Sequence, residues 1–516
     1  MAAEQDYFDA AAAHRTRSLK ALSNAQSAAA HPGVAAHLKR HAQAAADAIN
    51  RADQGVAFGR IDTEDTGTLY IGRQWISDEL REPVVINWHV PAAAPYFEAS
   101  HAKPLSITRK RTYVCDGNTI RDFADVVFAD IAATVDTFLL RELGRARTGA
   151  MRDIVATIQA AQYDVIRAPM EQVLIIEGGP GTGKTAVALH RVSWLLFHHS
   201  DSVQADRVLV VGPHPTFIRY LREVLPSLGD TDVVMRDITQ LAPDVPRGRS
   251  EPAPVARLKG DARMASMLAR ALESRIGTPE SAERIPVGGG FVSVPGADIQ
   301  ALLAECRAAA GPYLQRRALF RERLADLVRT RAGAQPDRQG ALANLVERLW
   351  PQQSAASFLG DLFGSRRRLL AARTDQAGSS GAPGGPPVGA AGGEGAHEGT
   401  ATDGLTEDEA RLLYRRGADR LSQEVWSPAD LPLLDELEHL INGATNNGVT
   451  TKGVTINGVT GNGVTGNGVT GNGVTGNGER YAHIVIDEAQ DLSPMQLRSV
   501  ARRSGTGSIT VVGDLA

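Results

Sequence analysis

Two stretches of this chain carry side chains that could act on a phosphoanhydride. Val173 to Thr185 reads VLIIEGGPGTGKT, and His483 to Leu492 reads HIVIDEAQDL. In the first, Gly178, Gly179, Pro180, Gly181, Thr182, Gly183, Lys184 and Thr185 fit the spacing G-x-x-x-x-G-K-[ST]. Glycines let backbone N–H groups turn inward around phosphate oxygens, and the N-terminus of a following helix adds partial positive charge. Lys184 is expected to reach the β- and γ-phosphates of a nucleoside triphosphate, and Thr185 to hold Mg²⁺. Ala186, which opens the helix behind the loop, belongs to the same nucleotide-binding set. In the second stretch an apolar run ends in two adjacent carboxylates. Asp487 is expected to hold Mg²⁺ through water, and Glu488 to orient and deprotonate the attacking water. Lys184 and Glu488 are therefore the catalytic candidates, and Thr185 and Asp487 the metal candidates. Gln490 joins the nucleotide-binding set, and ATP and Mg²⁺ are the cofactors expected.

These groups need strands and helices to position them. Val173 to Ile176 is apolar and β-branched, suited to a strand buried on both faces. Ala186 to Phe197 is a good helix, and His483 to Ile486 a second buried strand. Strand and helix patterns alternate from 173 to about 228, which predicts a parallel α/β unit. Ser508 to Asp514, SITVVGD, reads as one more strand beside them.

Around this unit the chain changes character several times. Residues 4 to 29 and 34 to 52 are Ala-rich, broken by His31-Pro32-Gly33, and read as a helical hairpin. Its apolar stripe is weak, so it needs either its own domain or a partner to pack on. Residues 56 to 120 hold short β-type runs at 69–71, 83–88 and 112–114, and 121 to 169 return to helix. From about 250 to 440 the pattern is mainly helical, with one hairpin, 285–287 and 291–294, across Gly288-Gly289-Gly290. Thr406 with Glu409, and Ser427 with Pro428 and Asp430, mark helix starts. Residues 374 to 404 almost lack large apolar groups, so a disordered loop is expected. Residues 441 to 480 fall into pentads such as GNGVT, read as a flexible linker or, alternatively, a short β-type coil.

The net charge of −4 and pI near 6.4 give no global basic footprint for nucleic acid, though a local basic groove stays open. Cys115 and Cys306 are the only cysteines, and neither sits in a CxxC or Cys/His cluster, which argues against a metal site or disulfide framework. The N-terminus does not read as a signal peptide, and the longest apolar stretches, such as Val192 to Phe197, are far short of a membrane span. A cytoplasmic protein without a membrane partner is expected.

DEAQD at Asp487 to Asp491 resembles motif II of superfamily I helicases of the UvrD/Rep type, and Gly513-Asp514 resembles the start of their motif III. Ile158 to Gln162 resembles their adenine-reading Q motif, with Gln162 as the reader. LYIGR at 69–73, NWHVPAAAPYF at 87–97, RARTGAMRDIVATIQAAQ at 145–162, GGPGTGKTAVALHR at 178–191 and VIDEAQDLSPMQL at 485–497 are similar to the HelD-type branch, helicase-like ATPases that bind and recycle bacterial RNA polymerase. The resemblance implies an α/β fold: a RecA-like P-loop NTPase domain with an incomplete parallel sheet, an N-terminal helical hairpin and a large, mainly helical insert. The expected division is an arm at 1–55, the first part of the ATPase domain with a β-rich lead-in at 56–250, the insert at 251–440, the pentads at 441–480, and a return to the ATPase domain at 481–516. RNA polymerase is the partner the resemblance implies, entered by the arm and the insert, with DNA as a further candidate.

Departures from that pattern are also visible. Gly212 to Phe217, GPHPTF, stands where strand-tracking relatives have a Thr- and Asn-containing contact to single-stranded DNA. His214 in that loop reads as an exposed loop histidine. The pentads have no counterpart in the family pattern. The sequence stops as motif III begins, so the chain is expected to be C-terminally truncated, without a second RecA-like domain and with impaired turnover. A DNA-unwinding repair helicase and a non-catalytic polymerase-binding module remain the alternatives.

Overall fold

A computed structural model describes residues 1–27, 55–64, 67–100, 103–128, 158–213, 215–224, 233–241, 245–287, 290–333, 340–373, 404–417, 424–443 and 480–514. The expected second arm helix, the 374–403 stretch, His214 and pentad residues 444–479 lie outside them. The chain divides into two compact units, one from Met1–Asp237, Arg480–Asp491 and Ser504–Ala516, the other from Ile238–Glu479 and Leu492–Arg503.

The first unit begins with α1 (Ala2–Ser27). It continues through β1 (Gly59–Thr63), β2 (Gly67–Gly72), β3 (Ile76–Ser77), β4 (Pro83–Asn87), α2 (Ala94–Glu98), β5 (Ile107–Asp116) and β6 (Thr119–Val127). These strands form one sheet in the order β3-β4-β2-β1-β5-β6, antiparallel throughout except for the parallel β2–β4 pair. Residues 121–127, expected to be helical, lie in β6. Their local pattern mixes charged and apolar residues and commits to neither state, and pairing with β5 from Arg109↔Val127 to Asp116↔Thr119 decides the matter.

The weak stripe of α1 is compensated at its root. Phe8 and Ala11 are buried, and the Tyr7 ring stacks on Tyr70 at 3.8 Å. Glu4, also buried, accepts hydrogen bonds from Tyr113 Oη (2.6 Å) and Tyr70 Oη (3.0 Å) and pairs with Arg111 (2.7 Å) and Arg60. A carboxylate removed from water needs such partners. The first turns of the helix are thus fastened to the sheet by one acid and four donors.

The same unit then runs through α3 (Ala160–Ile166), β7 (Val173–Glu177), α4 (Lys184–His198), β8 (Val208–Gly212), α5 (Pro215–Val224) and β9 (Val234–Asp237). Phe97 of α2 stacks on Tyr163 of α3 at 4.5 Å, within an apolar core shared by the antiparallel sheet and the α/β part.

The second unit is mainly helical. It holds α6 (Ala253–Lys259), α7 (Arg263–Glu273), the hairpin of β10 (Glu283–Val287) and β11 (Gly290–Val294), α8 (Gly296–Ala308), α9 (Tyr313–Ala332), α10 (Ala341–Leu349), α11 (Ala355–Phe363), α12 (Arg366–Ala372), α13 (Glu407–Leu412) and α14 (Leu431–Asn442). Phe320, Trp350, Phe358, Phe363 and Leu434 are among its core residues. Thr406 and Glu409 form the expected capping box. Ser427 and Asp430 exchange the reciprocal hydrogen bonds of a capping box across the turn that leads into α14, which starts at Leu431. Asp430 is held in addition by Lys259 (2.7 Å) and Arg415 (2.7 Å).

The chain returns to the first unit with β12 (His483–Ile486), contributes α15 (Pro494–Ala501) to the second, and ends its described part with β13 (Ile509–Gly513). Five strands form an all-parallel sheet in the order β7-β13-β12-β8-β9. The late strands lie between the early ones: Val511 faces Ile175 on one side and Ile486 on the other, and Ile486 faces Val211. All residues of β8 and β12 are buried, as expected for central parallel strands. β7 departs from expectation. Val173 and Ile175 are exposed, because β7 is the edge strand of the five and one of its faces is uncovered. Among the described residues no helix is long and apolar enough to cross a membrane.

Candidate functional site

The loop 178–183 joins the C-terminal end of β7 to the N-terminus of α4. Gly181 (φ 76°) and Gly183 (φ 84°) adopt left-handed conformations that other residues reach only with strain. Thr182 Oγ1 donates to Gly179 O at 2.9 Å and closes the turn from inside. Pro180 lies between these residues, and Ala186 is buried in the first turn of α4. The Lys184 ammonium curls back over the loop. It donates to Gly178 O and Gly179 O, both at 2.9 Å, and stands 2.6 Å from Asp514 Oδ1.

The parallel pairing brings the tip of β12 to this loop. Asp487 is almost fully buried, its N–H bonded to Val211 O at 3.0 Å. Its carboxylate accepts from the Thr185 hydroxyl and from the Glu488 N–H (2.9 Å). Burial pushes its pKa up to about 6, and the negative Glu488 adds to this. The Thr185 and Glu488 hydrogen bonds and the Lys184 charge pull the other way. Glu488 has φ 51°, left-handed for a non-glycine residue and a point of local backbone strain. Gln490 Nε2 donates to Glu488 Oε2 at 2.6 Å, and Gln490 Oε1 accepts from the Asp514 N–H at 3.1 Å. A Cβ on Gly513 would stand 3.0 Å from that oxygen, so a larger residue there would make the Gln490 side chain give way by a few tenths of an ångström.

The structure therefore gathers Lys184, Thr185, Asp487, Glu488 and Gln490 beyond the C-terminal ends of two parallel strands, β7 and β12, with Asp514 at the end of β13 between them. Gln162 stands at the loop's rim. Its Nε2 donates to Thr182 O at 3.2 Å, and its Oε1 accepts from the Gln159 N–H at 3.1 Å. Gln490 holds Glu488 rather than the loop. Asp514 was not among the expected site residues, although its place at a strand's C-terminal end was a usable signal.

The donor set suits Mg²⁺. Thr185 and Asp487 offer hard oxygens beside a phosphate-type loop, and Mg²⁺ in such sites takes one or two protein oxygens and completes its shell with water and phosphate. Among the described residues no cluster of three or more His, Cys, Asp or Glu could hold a metal ion without such help.

A search of curated proteins found no match to the chain. The family model for the N-terminal domain of DNA helicase IV HelD matches residues 1–137, so the part of the chain carrying α1 and the six-stranded sheet is similar to that domain of a helicase-like family, while the loop at 178–185 lies outside the match.

Proposed function

We propose that this chain binds MgATP at Gly178–Thr185 in a RecA-like P-loop domain, and that it is a HelD-type, helicase-like ATPase acting on RNA polymerase. One observation carries the nucleotide reading. A buried Asp487 and the Thr185 hydroxyl meet across two parallel strands, beside a lysine folded over a glycine loop. In this reading Lys184 exchanges its contacts to Gly178 O, Gly179 O and Asp514 for phosphate oxygens. Thr185 and Asp487 hold Mg²⁺, which supplies charge neutralisation on the phosphates. Glu488, oriented by Gln490, accepts a proton from the attacking water. The parallel order with the β13 and β12 strands between β7 and β8 supports the RecA-like assignment, and the match over residues 1–137 supports the HelD-type branch.

In this reading α1, rooted on the sheet through Glu4, is one arm toward the polymerase, and the helical second unit supplies the other. Two modest contacts on one chain give avidity that neither gives alone. The family matched over residues 1–137 is named for a DNA helicase, which favours a second reading, duplex unwinding. Calorimetry of MgATP against the full chain and Lys184→Ala tests the site: binding by the first and none by the second is expected. Passing the full chain over immobilised core RNA polymerase tests the partner. Strongly salt-dependent binding of single-stranded DNA, without retention on polymerase, would favour the DNA reading instead.

A further inference from the structure

The largest unexplained charge inside the first unit is Arg191. It lies on α4, two turns beyond the loop, and is fully buried. No carboxylate is paired with it among the described residues, and burial pulls its pKa down to about 10. Its partners are backbone carbonyls of one short segment. Nη1 donates to Ile166 O (3.0 Å) and Ala168 O (2.5 Å), with Val165 O at 3.3 Å, and Nη2 donates to Pro169 O at 2.8 Å. These carbonyls lie at the C-terminal end of α3 and in the turn after it, the negative end of that helix. A buried cation without a carboxylate partner carries a desolvation cost that an apolar residue of similar size would not. Packing alone does not account for an arginine.

The remaining donor extends the network. Arg191 Nε donates to Thr510 Oγ1 at 3.2 Å, and Thr510 Oγ1 lies 3.2 Å from His483 Nε2. Ser508 Oγ donates its one proton to Met170 O at 2.5 Å, so it must accept from His483 Nδ1 at 2.7 Å. His483 Nε2 is then a lone pair that accepts from Thr510. The protons of the Thr510–His483–Ser508 relay are thereby assigned, and both ends of the network finish on residues 165–170. The segment that follows α3 is thus held from α4, β12 and β13 at once.

At its other end α3 carries Gln162, whose amide touches the loop at Thr182 O. Tyr163 and Ile166 are buried between these ends, so the helix is packed along its length. We propose that Arg191 is a specificity-determining positioning residue for the nucleotide base. By pinning the C-terminal end of α3 it holds the Gln162 amide at the rim of the phosphate loop. There the amide's donor and acceptor match the N7 acceptor and N6 donor of adenine and mismatch guanine, whose O6 accepts. The inference rests on the MgATP reading of the loop.

The test uses the full chain and three probes, ATP, GTP and inorganic tripolyphosphate, each with Mg²⁺. Arg191→Lys keeps the charge but cannot span the same carbonyls. It is expected to lower the preference for ATP over GTP about tenfold, with tripolyphosphate affinity held within about twofold. Thr510→Val removes one acceptor of Arg191 far from any bound nucleotide and is expected to lower the preference about threefold. It decides the matter if Arg191→Lys does not fold. Equal losses for ATP and tripolyphosphate in Arg191→Lys, or a wild-type preference in a folded Thr510→Val, overturn the inference. A wild-type chain that binds tripolyphosphate without base preference also overturns it while leaving the phosphate-loop reading intact. A chain that binds no tripolyphosphate overturns that reading itself.

Discussion

The Lys184 ammonium stands 2.6 Å from the Asp514 carboxylate, a contact between residues 330 positions apart in the chain. Asp514 is partly exposed and occupies the cation that the loop would offer to phosphate. Its carboxylate therefore competes with an incoming anion. Asp514→Asn should tighten tripolyphosphate binding about threefold at low salt, in line with a solvent-screened pair. Titration calorimetry measures it, and weaker binding in the variant would show that Asp514 orders the lysine for phosphate instead.

Thr185 and Asp487 share a hydrogen bond, so each is expected to matter only when Mg²⁺ is present. Thr185→Ala and Asp487→Asn should weaken ATP binding about tenfold in Mg²⁺ and scarcely at all in EDTA. Glu488→Gln, which keeps its bond to Gln490, should bind MgATP within about twofold of wild type. The metal assignment fails if the Thr185 and Asp487 variants lose affinity equally with and without Mg²⁺.

Glu4 anchors α1. Glu4→Ala leaves Arg60, Arg111 and two tyrosine hydroxyls without their shared acceptor and should cost about 3–5 kcal/mol. The pH dependence has a definite sign. Burial raises the Glu4 pKa, but the hydrogen bonds from Tyr113 and Tyr70 and the charges of Arg60 and Arg111 outweigh it, and the net pKa is lowered from 4.5. The stabilisation is therefore present above pH 4.5 and is lost as pH falls through the lower folded value. Melting curves of wild type and Glu4→Gln should converge below pH 4.5, and a gap that widens in acid would contradict the contact.

Three buried imidazoles act in a higher window. Burial lowers His89 to about 3, His190 to about 4 and His483 to about 3; the charges of Arg73 at His190 and Arg191 at His483 add to this, and a hydrogen bond to Ala186 O partly opposes it at His190. Their stabilisation is complete above pH 6.5 and declines as pH falls toward those values, by about 1.4 kcal/mol per pH unit for each. At pH 5.5 unfolding should take up about two to three protons, read from calorimetric enthalpies in buffers of different ionisation heat. Proton release, or no uptake, would mean that these rings are already charged in the fold.

Much of the site was legible in the chain because it is local. The glycines at 181 and 183, Lys184, Thr185 and the Asp487–Glu488 pair are placed by a strand end and a helix start, and such features follow from residue type and spacing. The capping box at Thr406 and the hairpin at 283–294 were legible for the same reason. What sequence left open depends on long-range pairing. Residues 121–127 become a strand because β5 lies beside them, and Val173 and Ile175 stay exposed because β7 is at the edge of its sheet. Arg191 reads as one polar break in an apolar helix until the turn at 165–170 folds against it. Short-range geometry is written in backbone preference, and the sequence alone determined a glycine loop, a carboxylate pair and the strands that carry them. Which strands become neighbours is settled by burying apolar faces hundreds of residues apart, and only that tertiary choice put Asp487 beside Thr185 and Asp514 on Lys184.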